Sequence, residues 1–241
     1  MKFFANLLKV VFLTTSAATA NERTLVDLSF EVAESRIELA EHILRSAVDF
    51  AASEPEINAR DGYLGLKTLL NNTEHFGALL LLDEEGILRF DSFNVEPLSY
   101  DLSDRQYFRE TRSLKPKTMR IGSTMVARQS GQILIPFTMA VPSTKSSGQS
   151  VIALTVPPAA LLPKTDVCAF CGIAIINEGE ILASNRPMST INEAVLTRLD
   201  TDGLYGGITF EINKMNVDVF WRRSEASGLV YLYYSATPKH S

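Results

Sequence analysis

Between Asn21 and Ser53 the chain contains neither glycine nor proline, and Pro55 follows as a stop. Within that stretch Val26, Phe30, Ala33, Ile37, Ala40, Leu44, Ala47 and Ala51 recur at alternating steps of four and three. This spacing keeps one apolar edge on one side of a helix for more than three turns of the heptad pattern. A helix of about 30 residues extends about 45 Å, long for a compact domain. Its alanines suit close packing, and the pattern fits a partner helix and the chain's own sheet equally well. A second, shorter helical pattern runs from Ala59 to Leu70.

The period then changes. FGALLLLDEEGILRFDS is two β runs around an acidic turn that ends in Gly86, a hairpin signal. A polar loop and helix, SYDLSDRQYFRETR, follow. TMRIGSTMVAR, QILIPFTMAV and SVIALTV are then separated by SGQ and STKSSGQ, which are turn sequences. The order is strand, strand, helical insertion, three antiparallel strands. GIAIINEGEILAS restarts the same order, a helical stretch is predicted near Thr190 to Leu199, and GGITFEIN, NVDVFWRRS and GLVYLYYSA close it. Two copies of one α+β unit are predicted, the first larger, joined near PPAALLPKTD at residues 157–166.

With 241 residues there is room for one large domain or two modest ones. A net charge of -5 argues against a nucleic-acid partner, because binding phosphates requires a broadly basic surface. MKFFANLLKVVFLTTSAATA has a lysine at position 2, an apolar run interrupted by Lys9, and small residues at Ala18 and Ala20. That is the layout of a secretory signal cleaved before Asn21, with an uncleaved anchor as the alternative. Either reading places the body of the protein outside the cytoplasm. No second apolar stretch is long enough to span a membrane, and no output domain is evident, so signalling across a membrane would need a partner.

Chemistry-bearing motifs are few. Only His42, His75 and His240 occur, far apart, which makes a histidine metal cluster or triad unexpected, and no cofactor is implied. Hydrolase and phosphate-loop signatures are absent, so an enzyme is unsupported. Cys168 and Cys171 form CAFC. In an exported protein such a pair most often forms a disulfide, with free thiols next and redox catalysis third, since the motif leads into a strand rather than a helix. The most unusual feature is the run from Arg105 to Arg120, which holds Arg105, Arg109, Arg112, Lys115, Lys117 and Arg120 against Glu110 alone. Such a run is either a solvated face or an arranged anion site.

DLSDRQYFRETRS, IGSTMVARQSGQILIPFTMAV and GQSVIALTVPPAALL resemble the double Cache domain. This is the PAS-like extracellular sensor of bacterial chemoreceptors, histidine kinases and diguanylate cyclases. The resemblance covers nearly all of the chain after Asn21. It implies a signal peptide or anchor over 1–20 and a long helix over 21–54. A membrane-distal PAS-like ligand-binding unit over 55–162 and a membrane-proximal one over 163–241 would follow. It also implies a place in the periplasm or on the extracytoplasmic face of the inner membrane, a membrane signalling partner, and a homodimer if the long helix pairs.

In the amino-acid-binding branch, a tyrosine, an arginine five residues on and an aromatic pair two further on line the distal pocket. Tyr100, Arg105, Tyr107 and Phe108 match that spacing. An arginine fork suits a carboxylate because it pairs with it in bidentate fashion. The branch's aspartate for the ligand ammonium is replaced by Thr155, so an organic acid without an amine is the expected ligand. Ser123, Thr124, Arg128 and Thr138, on the intervening strands, are further candidates. The alternative role for Arg105 is a structural salt bridge with Asp101 or Asp104.

Overall fold

The computed structural model describes residues 20–53, 57–70, 73–96, 99–128, 130–142, 149–165, 167–186, 203–212 and 214–238. The signal segment and the helix expected near Thr190 to Leu199 lie outside them. Helix α1 runs Ala20–Ser53 and α2 runs Ala59–Leu70, where the apolar spacing and the absence of breakers place them. No helix among the described residues is long and apolar enough to cross a membrane.

The fold is α+β, an N-terminal helix followed by two antiparallel sheets. The first contains β1 (Leu79–Leu82), β2 (Leu88–Asp91), β3 (Met119–Ile121), β4 (Met125–Val126), β5 (Ile133–Ala140) and β6 (Val151–Val156). Its order is β2-β1-β6-β5-β3, with β4 also on β5. TMRIGSTMVAR, predicted as one strand, is broken at Gly122–Thr124 into β3 and β4. Helix α3 (Gln106–Thr111) is inserted between β2 and β3. A short 3-10 turn, Pro158–Leu161, follows β6. The second sheet contains β7 (Cys171–Asn177), β8 (Glu180–Ser184), β9 (Tyr205–Ile212), β10 (Met215–Arg223) and β11 (Val230–Pro238), in the order β8-β7-β11-β10-β9.

Alternation of side chains divides the first sheet into two faces. Leu79, Leu81, Ile152 and Leu154 belong to the main core with α1, whereas Leu82, Val151 and Ala153 form a separate cluster with Tyr107 and Phe108 of α3. The main core also takes in Ile173, Phe220 and Tyr231 of the second sheet, so α1 packs on both sheets. This settles how the seam is used. Val26, Ala33, Ile37, Ala40, Leu44 and Ala47 are buried within the chain, and Phe30 and Ala51 pack against the same core. A homodimer through that seam, one of the two readings of the pattern, would have to unpack this core.

Polar contacts fasten α1 to the second sheet. Arg222 Nη1 lies 2.9 Å from Asp27 Oδ1 and 3.5 Å from Glu31 Oε1, with its guanidinium 3.4 Å above the Phe30 ring centroid. Ser227 and Tyr231 both donate hydroxyl hydrogen bonds to Glu34. Burial, reinforced by the Glu34 carboxylate, raises the Tyr231 phenol well above its ordinary range, so it stays a donor.

Candidate functional site

The site is built on the face of the first sheet that α1 leaves uncovered. The loop before α3 is held to the sheet by its backbone. Leu88 N–H donates to Tyr100 O at 3.0 Å, Leu102 N–H to Gly86 O at 2.9 Å, and Ile87 and Asp101 form an antiparallel bridge. Gly86 sits at φ 90°, where a Cβ would lie 2.7 Å from Ser103 Cα, so only glycine allows this approach. Asp101 then turns the chain, accepting hydrogen bonds from the N–H (2.9 Å) and hydroxyl (2.6 Å) of Ser103. These bonds, the hydroxyl's first, hold the Asp101 carboxyl below its usual range. Arg105 follows as the extended residue that caps α3.

A cavity of about 340 Å³ opens beside this loop, within the size range of small-molecule sites. Leu80, Leu88, Leu102, Met125 and Leu134 give it apolar walls, with Phe93, which is largely exposed, and Ser130 and Gln132 also at its lining. Of the residues the sequence singled out, Tyr100, Arg105, Tyr107, Arg128 and Thr155 line this cavity. Phe108 does not. It is fully buried one residue further on, against Leu82, Leu88 and Val151. Ser123 and Thr124 are exposed in the break between β3 and β4 and are not among the lining residues. Thr138 is buried beneath α3, where its hydroxyl shares a 2.6 Å hydrogen bond with that of Thr111.

The cationic run disperses over separate tasks. Arg120 makes a paired contact with Glu110, through Nε at 2.9 Å and Nη2 at 2.8 Å. Lys117 reaches Asp49 of α1 at 2.7 Å, and Arg112 stacks over Phe108. Arg105 alone of the six lines the cavity. The structural partners expected for it are taken. Arg128 donates through Nη2 to Asp104 and through Nη1 to Asp101 O, while the Asp101 carboxylate is used by Ser103. Among the described residues the half-buried Arg105 guanidinium has no ion pair and no side-chain hydrogen bond. Burial pushes the Tyr107 phenol up to about 12, against the opposing pull of Arg105 and Arg128. Tyr107 is therefore a hydrogen-bond donor beside Arg105 at any physiological pH.

Asp91 is the acidic lining residue, and sequence reasoning missed it along with the apolar walls. It is buried at the end of β2, and its two carboxylate oxygens accept from Phe93 N–H and Asn94 Nδ2, each at 2.8 Å. The expectation of a site without an acid is therefore corrected. Each oxygen retains a lone pair for a further donor. Thr155, by contrast, is already committed. Its hydroxyl accepts from Ala78 N–H at 2.7 Å and faces Ala78 O at 3.2 Å. Gly77 makes room for it, since a Cβ there would fall 2.4 Å from Thr155 Oγ1. Thr155→Asp is accordingly expected to destabilise the fold by about 1–3 kcal/mol, read as a lowered thermal midpoint. An unchanged midpoint would show that the Ala78 contacts contribute nothing. Among the described residues no three His, Cys, Asp or Glu side chains cluster as metal ligands.

No protein-family profile matches the sequence, and no curated protein matches it. Solved structures do match. One is the extracellular domain assigned to a histidine kinase, rpHK1S-Z16, with a TM-score of 0.73 at 20% identity over 89% of this chain and 94% of that one. The ligand-binding domain of the Campylobacter jejuni chemoreceptor Tlp3, in complex with 4-methylisoleucine, superposes with a TM-score of 0.65 at 14% identity over 90% of this chain and 89% of that one. The sensor domain of the V. cholerae histidine kinase DctB gives 0.59 at 12% identity over 91% and 96%. The chain has the fold of the extracellular sensor domains of histidine kinases and chemoreceptors. That fold is the double Cache arrangement its loop and strand sequences resemble.

Proposed function

We propose that this chain is an extracytoplasmic ligand-sensing module that binds a small carboxylate in the cavity of the first sheet and performs no chemistry on it. The observation that carries the reading is Arg105, a guanidinium with no ion pair among the described residues, on the wall of a mostly apolar cavity. A half-buried guanidinium whose fork no described side chain occupies offers a ligand carboxylate the bidentate geometry that arginine prefers. The hydroxyl of Tyr107 is the second donor.

Asp91 refines the ligand. Its oxygens accept a hydrogen bond from a hydroxyl or ammonium group on the bound acid, so a 2-hydroxy or 2-amino acid with an apolar body fits better than a bare hydrocarbon acid. Apolar amino acids such as isoleucine and valine are the ligands bound to the Tlp3 domain. Because α1 packs on both sheets, a ligand that shifts the first sheet has a packed element through which to bias a signalling partner.

The test is a thermal-shift screen with matched 2-amino, 2-hydroxy and unsubstituted forms of branched five- and six-carbon acids, followed by calorimetry. At least one substituted form is expected to bind more tightly than the unsubstituted acid. Asp91→Asn should abolish that preference while leaving the unsubstituted acid's affinity within about twofold. If neutral amines raise the melting temperature and no carboxylate does, the reading fails.

A further inference from the structure

We propose that the Cys168–Cys171 bond is a site of thiol–disulfide exchange, opened by a protein dithiol that attacks Cys168 and closed again by the reverse reaction. The two sulfurs are bonded, and the residues lie three apart. A disulfide that closes so short a loop restricts the unfolded chain least, so it adds little stability of the kind that longer cross-links provide. Its position is a junction. The turn lies between the 3-10 turn that ends the first half of the fold and β7, the first strand of the second sheet.

The two sulfurs differ in a way that assigns their roles. Cys168 is exposed, whereas Cys171 is the first residue of β7 and is buried in the main core. Ala169 is exposed beside it, as is Phe170 at 61%, leaving an aromatic surface next to the bond for an incoming protein. Tyr233 on β11 donates its hydroxyl to Cys171 Sγ at 2.9 Å. Burial, with Glu22 adding to it, raises the Tyr233 phenol, which keeps that proton in place.

Exchange then proceeds in one direction of attack. A thiolate of the dithiol forms a bond to Cys168 Sγ, and the Cys168–Cys171 bond breaks. The electron pair leaves on Cys171, which goes on to take up a proton. The dithiol's second thiol attacks the mixed disulfide at the dithiol's own sulfur and releases Cys168 as a thiol. Two electrons and two protons have passed from the dithiol to this chain. The Tyr233 hydroxyl stabilises the sulfur on which negative charge develops, and a better leaving thiolate departs faster.

Opening the bond need not unfold the strand. Cys171 remains paired with Ser235 of β11, Cys171 N–H donates to Cys168 O at 3.0 Å, and Ala236 N–H donates to Phe170 O at 3.0 Å. What changes is the covalent closure of the junction turn.

The experiment uses the full chain in graded dithiothreitol, with acid quenching, alkylation and intact-mass measurement in parallel with circular dichroism. Reversible gain of two alkylatable thiols is expected at dithiol concentrations that leave the fold intact. Tyr233→Phe, which keeps the ring in the core, should slow reduction about threefold to tenfold without a matching fall in melting temperature. Reduction that proceeds only as fast as global unfolding in urea would overturn the proposal, as would an unchanged rate in Tyr233→Phe.

Discussion

Replacing Arg105 with alanine is expected to lower affinity for the carboxylate ligand about tenfold to a hundredfold while leaving the melting temperature of the free protein nearly unchanged. Hydrogen bonds to charged groups contribute about 1.5–3 kcal/mol, and each 1.4 kcal/mol is about tenfold in affinity. The free protein loses little because Arg105 makes no ion pair among the described residues that the substitution could break. Arg105→Lys should restore little of the affinity, since a compact ammonium cannot reproduce the planar fork. Calorimetry on the two variants, with thermal unfolding in parallel, reads both sides of the expectation. Unchanged affinity with a lowered melting temperature would make the arginine structural.

Leu44→Asp should produce the largest loss of stability. Leu44 is fully buried on the face of α1 that packs against the sheets. Truncating a buried leucine costs about 2–5 kcal/mol, and an unpaired carboxylate in the same place adds a desolvation penalty. Together these approach the whole stability of an ordinary domain, about 5–15 kcal/mol. Leu39, at 39% exposure on the other side of the helix, provides the control, and Leu39→Asp should stay within about 0.5 kcal/mol of the parent. Urea unfolding monitored by circular dichroism separates the two. A Leu44→Asp protein that kept its midpoint but changed its sedimentation would mean that the seam faces a partner after all.

These expectations rest on features that differed in how well the sequence revealed them. Periodicity placed α1, α2 and the β1–β2 hairpin within a residue or two, because each is a run of one period bounded by breakers. It could not say what the α1 seam packs against, since a heptad pattern with alanines satisfies a helix and a sheet alike. The loop from Tyr100 to Arg105 was legible through its resemblance to the binding loop of the sensor family, whose spacing it matches, and it does line the cavity together with Tyr107. Phe108 and Thr138 were misplaced through their direction. Phe108, next to Tyr107 on a helix, points to a different side, and Thr138 lies under α3 rather than facing open space.

Asp91 was hidden by a β-bulge. Plain alternation from Leu88, which lines the cavity, would send Phe90 to the cavity and Asp91 away from it. The register instead pairs Leu82 with Leu88, Leu81 with Phe90 and Leu80 with Asp91, with Arg89 as the extra residue. The bulge turns the remainder of the strand over, so Phe90 enters the main core and Asp91 reaches the cavity. No composition or spacing rule marks a bulge within LRF, residues 88–90.

The most direct test of the account is the position of a bound acid in a crystal structure of the protein, using whichever carboxylate raises its melting temperature most. The account predicts the acid in the cavity of the first sheet. Its carboxylate oxygens should lie about 2.7–3.2 Å from the Arg105 guanidinium, with its apolar body against Leu80, Leu88 and Leu134. A ligand bound on the second sheet, or one in this cavity whose carboxylate lies away from Arg105, would contradict it.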